Sequence, residues 1–382
     1  MITFFYARFH YLNTNLPRFY QHLAAVPRPG VRLVDVTTAG EDAVAEAAAS
    51  SRVVVIDGAI VGATVADNIN SDPIFHIAGY ARRGRAFYEA IFDRLLEAPA
   101  ALAFMAFGDL HDVRAAPAYS RLAARGAALM WLFEKPPLSL DQVPEPYRDP
   151  WMEDAGDIPG RWRELTAEFP VRVEAWFALA EDELRRSRAR ARWDVCIAGA
   201  PYRTRQVARE AVRAARLSEA PYGQVSRALI LAGWAAKRLP RSEAASRGTI
   251  GLSVAAQRAL VARSRTGFVC GSGMGYPVRK FLEVPGAGVP MLAYPCQGFT
   301  DFGFVDGVNA VVCAPEDAGA AARRLVADPA LRERIASSAL EMITRLHSMR
   351  QRADDMIECM RRLGERTLRN AQFVDGRFEI SG

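Results

Sequence analysis

Three glycines, Gly271, Gly273 and Gly275, stand within five residues, with Ser272 and Tyr276 beside them and Arg279, Lys280 and Glu283 just beyond. An apolar run at 266–270 leads into them and Pro277 suits the first turn of a helix, so the spacing predicts strand, glycine loop and helix start. That layout binds anions. Loop amides and the positive end of a helix dipole face one point, and Arg279 and Lys280 add formal charge. Glu283, one turn on, offers two acceptor oxygens of the kind a sugar hydroxyl needs. A phosphate and a sugar hydroxyl together would satisfy the set.

A second anion candidate opens the second half of the chain. The run 193–198 ends in a glycine turn at Gly199, followed by Tyr202, Arg203 and Arg205 at the start of a helical stretch. Arginine there forks onto phosphate oxygens, or is ordinary surface in an Arg-rich chain. In the first half, Gly108-Asp109-Leu110-His111-Asp112 follows the apolar run 101–107, and ligands of open parallel sheets bind at the carboxyl ends of strands. Asp109 or His111 is a candidate catalytic base for a substrate hydroxyl, while the alternative is that Asp109 or Asp112 caps the next helix. His76 reads as a core or rim residue. No Asp-x-Asp pair is present to hold a divalent ion, so no metal and no cofactor are expected.

These groups need a large scaffold. At 382 residues the chain exceeds what one hydrophobic core organises, and half of it is hydrophobic, which predicts two domains with a sizeable core in each. The net charge is +6, but lysine occurs only at Lys135, Lys237 and Lys280, so the other basic residues of the 49 are arginines. They alternate with acidic residues along 181–192 and 332–345 rather than gathering with aromatics on one stripe, which argues against a nucleic-acid partner. A basic helical face is still able to touch an anionic membrane surface. Cys196, Cys270, Cys296, Cys313 and Cys359 are odd in number and never form CxxC, as expected of buried thiols in a reducing compartment. With no leader and no apolar run of about 18 residues, the chain is expected to be cytoplasmic.

Strand candidates at 2–7, 31–36, 53–56, 101–107 and 127–133 alternate with helical stretches at 16–25, 41–49, 83–97 and 115–125. That rhythm predicts a parallel sheet covered on both faces. The Pro-rich stretch 134–159 is a long surface excursion, either a wall of a site or a linker. Strong helix formers fill 161–192. After them come the strand at 193–198, helical stretches at 206–217 and 253–264, and a stretch at 224–239 that is helix or, around 229–231, strand. Boundaries follow at 1–187 for a first domain, 188–345 for a second domain and 346–382 for a helical segment crossing back, with 370–382 peripheral.

The run Tyr276-Pro277-Val278-Arg279-Lys280-Phe281-Leu282-Glu283-Val284-Pro285-Gly286-Ala287-Gly288-Val289-Pro290 resembles the Lys-Phe-x-Glu-x-x-x-x-Gly-x-Pro core of group 1 glycosyltransferases, nearest in pattern to the spore-maturation type. Phe299-Thr300-Asp301-Phe302, Gly307-Val308-Asn309-Ala310-Val311, Asp328-Pro329 and Leu346-His347-Ser348-Met349-Arg350 extend the resemblance over the last third of the chain. It implies a GT-B α/β fold of two doubly wound Rossmann-like domains facing across a cleft, a nucleotide-sugar donor, and a glycan, protein or small-molecule acceptor. It also implies that Glu283 binds the nucleotide ribose, that Lys280 and Arg203 lie near the diphosphate, and that the loop 271–275 is its amide cradle, with Gly199, Tyr202 and Tyr276 in the same site. Retaining members carry a sugar-contacting Glu eight positions before the ribose Glu, where this chain has Gly275. The resulting expectation is metal-independent glycosyl transfer, and the alternatives are a GT-B sugar-nucleotide epimerase or a non-catalytic sugar-nucleotide-binding protein. A dinucleotide enzyme is disfavoured because position 276 is Tyr, not the third Gly of GxGxxG.

Overall fold

The computed structural model describes residues 1–11, 15–65, 75–77, 80–106, 115–132, 135–154, 156–186, 190–236 and 242–382. Its strands, in chain order, are β1 (Ile2–Tyr6), β2 (Phe9–Tyr11), β3 (Val31–Asp35), β4 (Val53–Asp57), β5 (Phe75–Ile77), β6 (Ala101–Met105), β7 (Ala128–Met130), β8 (Val171–Glu174), β9 (Trp193–Ile197), β10 (Ser264–Val269), β11 (Met291–Ala293), β12 (Val311–Val312), β13 (Asn370–Val374) and β14 (Arg377–Ser381). They form an eight-stranded sheet of order β14-β13-β8-β7-β6-β4-β1-β3, a four-stranded sheet of order β12-β11-β10-β9, and the antiparallel pair β2-β5. The larger sheet is parallel from β3 to β13, and the four-stranded sheet is parallel throughout. Helices on the faces bury the strands on both sides. Hence β4 is a run of Val-Val-Val-Ile-Asp with every residue buried rather than an alternating one.

The alternating strand and helix rhythm of the first half holds, and two segments depart from it. Residues 171–174, within a stretch of helix formers, are strand β8, whose Val171 and Val173 are β-branched and whose Val173 is buried. Residues 370–381 are neither helical nor peripheral. They form the hairpin β13-β14, which adds to the sheet of the first half beside β8. The turn is Asp375-Gly376, with φ of 45° and 73°, the left-handed pair that a two-residue hairpin connection requires. The described part of the ambiguous stretch at 224–239 lies in helix Tyr222–Ala236.

Helix Met349–Gly364 packs on the first core through Met349, Ala353, Met356, Cys359, Met360 and Leu363, a helical spacing of apolar residues. The two passages of chain between the sheets are tied together. Leu179 N donates to His347 O at 2.8 Å and Met349 N to Leu179 O at 2.7 Å, while Trp176 stacks on Phe302 with ring centroids 3.9 Å apart. No helix of the described residues is long and apolar enough to cross a membrane.

Candidate functional site

Four loops leave the carboxyl ends of the four-stranded sheet: 198–202 after β9, 270–279 after β10, 294–300 after β11 and 313–317 after β12. The sequence-predicted residues of the second half lie in or just after the first two, and the structure gathers them into two groups.

The first group surrounds the start of helix Arg203–Ala214. Gly199 has φ of +110°, and a Cβ there would lie 2.7 Å from the Arg205 guanidinium carbon, so only glycine lets that side chain cross the turn. Arg205 is buried. Its Nη1 donates to Ala200 O at 2.7 Å and its Nη2 to Cys270 O at 3.2 Å, which ties the loop after β9 to the loop after β10. Its guanidinium also lies over the Tyr202 ring, 4.9 Å from the centroid. Arg203 itself is exposed, and its backbone amide donates to Asp149 Oδ1 at 2.8 Å. Of the two arginines the sequence offers here, Arg205 therefore organises the loops and Arg203 faces solvent.

The glycine loop differs from the expected layout. The helix begins at Lys280, not at Pro277, and runs only to Gly286, so the glycines do not open a helix. Three loop amides turn inward: Ser272 N donates to Tyr276 O, Gly275 N to Ser272 O and Met274 N to Ser272 Oγ, at 2.9, 2.9 and 3.2 Å. The proline-rich excursion lies on this loop. Leu138 N donates to Met274 O at 2.9 Å, and Val143, Tyr147, Met152, Ile158 and Met274 form a small separate core. Asp149 approaches Gly273 so closely that a Cβ there would lie 2.7 Å from Asp149 Oδ2. Burial pushes the Asp149 carboxyl above its ordinary range, against the pull of the Arg203 amide and the Arg205 charge. Gly275 has φ of +78°, and a Cβ would meet Leu138 Cδ1 at 2.4 Å. Backbone conformation and Leu138 together disfavour any side chain at 275.

The second group sits at the start of helix Lys280–Gly286. Lys280 Nζ and Arg279 Nη1 each bond one oxygen of Glu283. Arg279 Nη2 reaches both oxygens of Glu183 at 2.9 Å, Tyr222 Oη donates to Gln257 Oε1 at 2.8 Å, and Lys280 lies over the Tyr222 ring at 5.7 Å. Burial opposes ionisation of Glu283, but the Lys280 and Arg279 charges outweigh it and hold the carboxyl down at about 2. Burial likewise opposes the charge on Lys280, and Glu283 and Tyr222 overcome it to raise the ammonium above its usual value. A cavity of 90 Å³ is lined here by Glu283, Lys280, Gln257 and Glu183. A fully charged acid and base fixed beside a cavity suit a neutral polyol, which can donate to one and accept from the other.

Asp109 and His111 lie outside the described residues, as do Asp112 and the rest of 107–114. Among the described residues at the carboxyl end of the first sheet, Asp57 ends β4 fully buried. Burial raises its carboxyl to about 7, and the Ala59 and Ala7 amides and the Tyr20 hydroxyl offset part of that rise. Asp149, Glu183, Gln257 and Tyr222 were not singled out from sequence, whereas Arg205 was offered with Arg203 as an anion candidate at the same helix start.

Residues 178–358 match a family model described as glycosyl transferase-like. No curated protein matches the chain. Among solved structures, sucrose-phosphate synthase from Thermosynechococcus elongatus is similar over 96% of this chain and 99% of its own, with a TM-score of 0.50 and 10% identity. Anabaena Alr3699/HepE in complex with UDP and glucose is similar over 94% of this chain and 99% of its own, with a TM-score of 0.46 and 10% identity. At that identity the likeness to the synthase speaks for the fold, and the two parallel sheets described above agree with it. The chain therefore has the α/β GT-B fold, and just under half of it, residues 178–358, matches a model described as glycosyl transferase-like.

Proposed function

We propose that the protein transfers a sugar from a nucleotide-sugar donor to a hydroxyl acceptor without a metal. The observation that carries this reading is the fixed Lys280–Glu283 pair beside a cavity, within the stretch that the glycosyl transferase-like model matches. Glu283 accepts from the ribose hydroxyls, and Arg203, Arg205 and Lys280 face the diphosphate with the loop 271–276. In the transfer the bond from the anomeric carbon to the diphosphate oxygen breaks and a bond to the acceptor oxygen forms. Negative charge grows on the leaving group, where prearranged cations stabilise it without reorganisation. The acceptor's proton goes to Asp109 or His111 if the enzyme inverts, and to the departing diphosphate if it retains. Within group 1 the spore-maturation pattern is the nearest, the five unpaired cysteines suit a cytoplasmic setting, and a glycan, protein or small molecule is the acceptor class.

Incubation with a panel of nucleotide sugars, with and without candidate acceptors and with a chelator, tests this reading. The expected result is free nucleoside diphosphate and a glycosylated acceptor, unaffected by chelation. Conversion of the donor sugar to its epimer with no acceptor product would instead make the protein an epimerase. Tight donor binding with no turnover would make it a binding protein.

A further inference from the structure

We infer that segment 138–152 is a displaceable plug on the diphosphate end of this site, with the Asp149 carboxylate standing where a phosphate group binds. The inference rests on the donor reading above and adds regulation to it. Helix Arg203–Ala214 carries a partial positive charge at its first turn, where the Arg205 amide is taken by Tyr202 O at 2.9 Å and the Arg203 amide needs an acceptor from outside the helix. The residue in the capping position, Tyr202, makes no side-chain cap. The cap comes instead from Asp149, 54 residues earlier, through Oδ1 and the Arg203 amide. Asp149 is 5% exposed and Arg205 2% exposed, yet Asp149 Oδ2 and Arg205 Nε have no hydrogen-bond partner. The carboxylate thus sits beside the helix end and the closely approaching backbone of Gly273 yet leaves one buried donor, Arg205 Nε, unmet. A phosphate group, whose three terminal oxygens spread tetrahedrally, is able to bond the Arg203 amide and Arg205 Nε together, which the planar carboxylate does not do.

The plug is attached in a way that permits release. It rests on the second half through a small cluster separate from the larger cores, in which Val143, Tyr147 and Met152 meet Met274, Val207 and Tyr294. Its further ties include Tyr147 Oη to Glu316 Oε2 at 2.6 Å, Leu138 N to Met274 O at 2.9 Å and the Tyr147 ring edge-on to Tyr294 at 5.3 Å. Prolines at 144, 146 and 150 stiffen it, so it leaves as one piece rather than residue by residue. A carboxylate and a phosphate cannot share the same amides, and the diphosphate must expel Asp149.

The test is calorimetric titration of the full chain, wild type, Asp149→Asn and Tyr147→Phe, with inorganic pyrophosphate and with UDP, GDP and ADP. Asn keeps an acceptor for the Arg203 amide and removes the competing charge. Pyrophosphate is expected to bind Asp149→Asn about tenfold more tightly than wild type, and Tyr147→Phe more tightly by a smaller factor. Equal or weaker pyrophosphate binding by both variants, or no binding to any of the three proteins, overturns the plug. If Asp149→Asn does not fold, Tyr147→Phe alone decides. Nucleoside diphosphates bound equally by all three proteins overturn the plug and leave the donor reading intact. Tighter pyrophosphate binding by the variants with no nucleotide bound keeps the plug and removes the donor reading.

Discussion

Arg279 turns one guanidinium nitrogen to both carboxylate oxygens of Glu183, 2.9 Å from each, across 96 residues of chain. The pair is almost fully enclosed, with side-chain exposures of 7% and 4%. It links the segment between the sheets to helix Lys280–Gly286. Glu183 Oε2 also accepts from Ala180 N at 2.8 Å, so the carboxylate is fixed on both sides. Arg279 in turn bonds Glu283, and the position of the candidate ribose ligand is therefore set in part by a carboxylate from the segment between the sheets.

Glu183→Gln should destabilise the fold by about 3 kcal/mol, since it leaves a buried guanidinium with half of its countercharge. Urea unfolding against wild type measures this. A loss below about 1 kcal/mol, which is the size of an exposed pair, would show that the pair is not enclosed as described.

Glu283→Gln should lower nucleotide-sugar affinity roughly ten- to hundredfold, the range for a lost hydrogen bond to a charged acceptor. Because Gln cannot balance the Arg279 and Lys280 charges, stability should also fall. Binding is therefore read by calorimetry under conditions where the melting curve shows the variant folded. An unchanged affinity for every nucleotide in the panel would reject Glu283 as the ribose ligand.

The parts of this arrangement legible in sequence were those written locally. The fully apolar strands announced a parallel sheet, and the spacing from Gly271 to Glu283 announced a glycine loop leading into a charged helix start, because each signal fits within a few residues. Glu183 and Asp149 carried no such signal. Their meaning depends on partners 96 and 54 residues away, and an acid in a helical or Pro-rich stretch is unremarkable alone. The C-terminal hairpin is different, since Asp375-Gly376 between Phe373 and Phe378 is a local turn signal. It was overshadowed by the long helical pattern before it. The expected helix start at Pro277 failed for a tertiary reason, as 271–279 closes on itself and on Leu138 instead.

Gly275→Ala tests how tightly the excursion covers the loop. Its φ of +78° makes any side chain costly, and Leu138 lies within 2.4 Å of the new methyl position. The combined cost should be about 2–3 kcal/mol, of which the backbone share is about 1–2 kcal/mol. In a Leu138→Ala background the steric share disappears, so the same substitution should then cost only the backbone share. A double-mutant cycle by chemical denaturation reads the coupling. Strict additivity would mean that Leu138 does not rest on the loop.

His347 supplies the pH dependence. Its Nδ1 faces Arg352 Nη2 at 3.4 Å and its Nε2 lies 2.8 Å from Phe302 O, so the tautomer that donates through Nε2 and accepts at Nδ1 fits both. Burial, and then the Arg352 charge, lower its pKa from an ordinary 6.5 to about 3. Between these values the unfolded chain carries a proton that the folded one refuses, so stability is lost as pH falls below 6.5 and is fully present above it. From pH 7 to pH 5 this group should remove about 2 kcal/mol. Urea unfolding of wild type and His347→Gln at both pH values isolates the contribution, and the variant's stability should fall less over that interval by about that amount. An equal fall in both proteins would mean that His347 takes up its proton in the folded state and that the ring is not held neutral between Arg352 and Phe302.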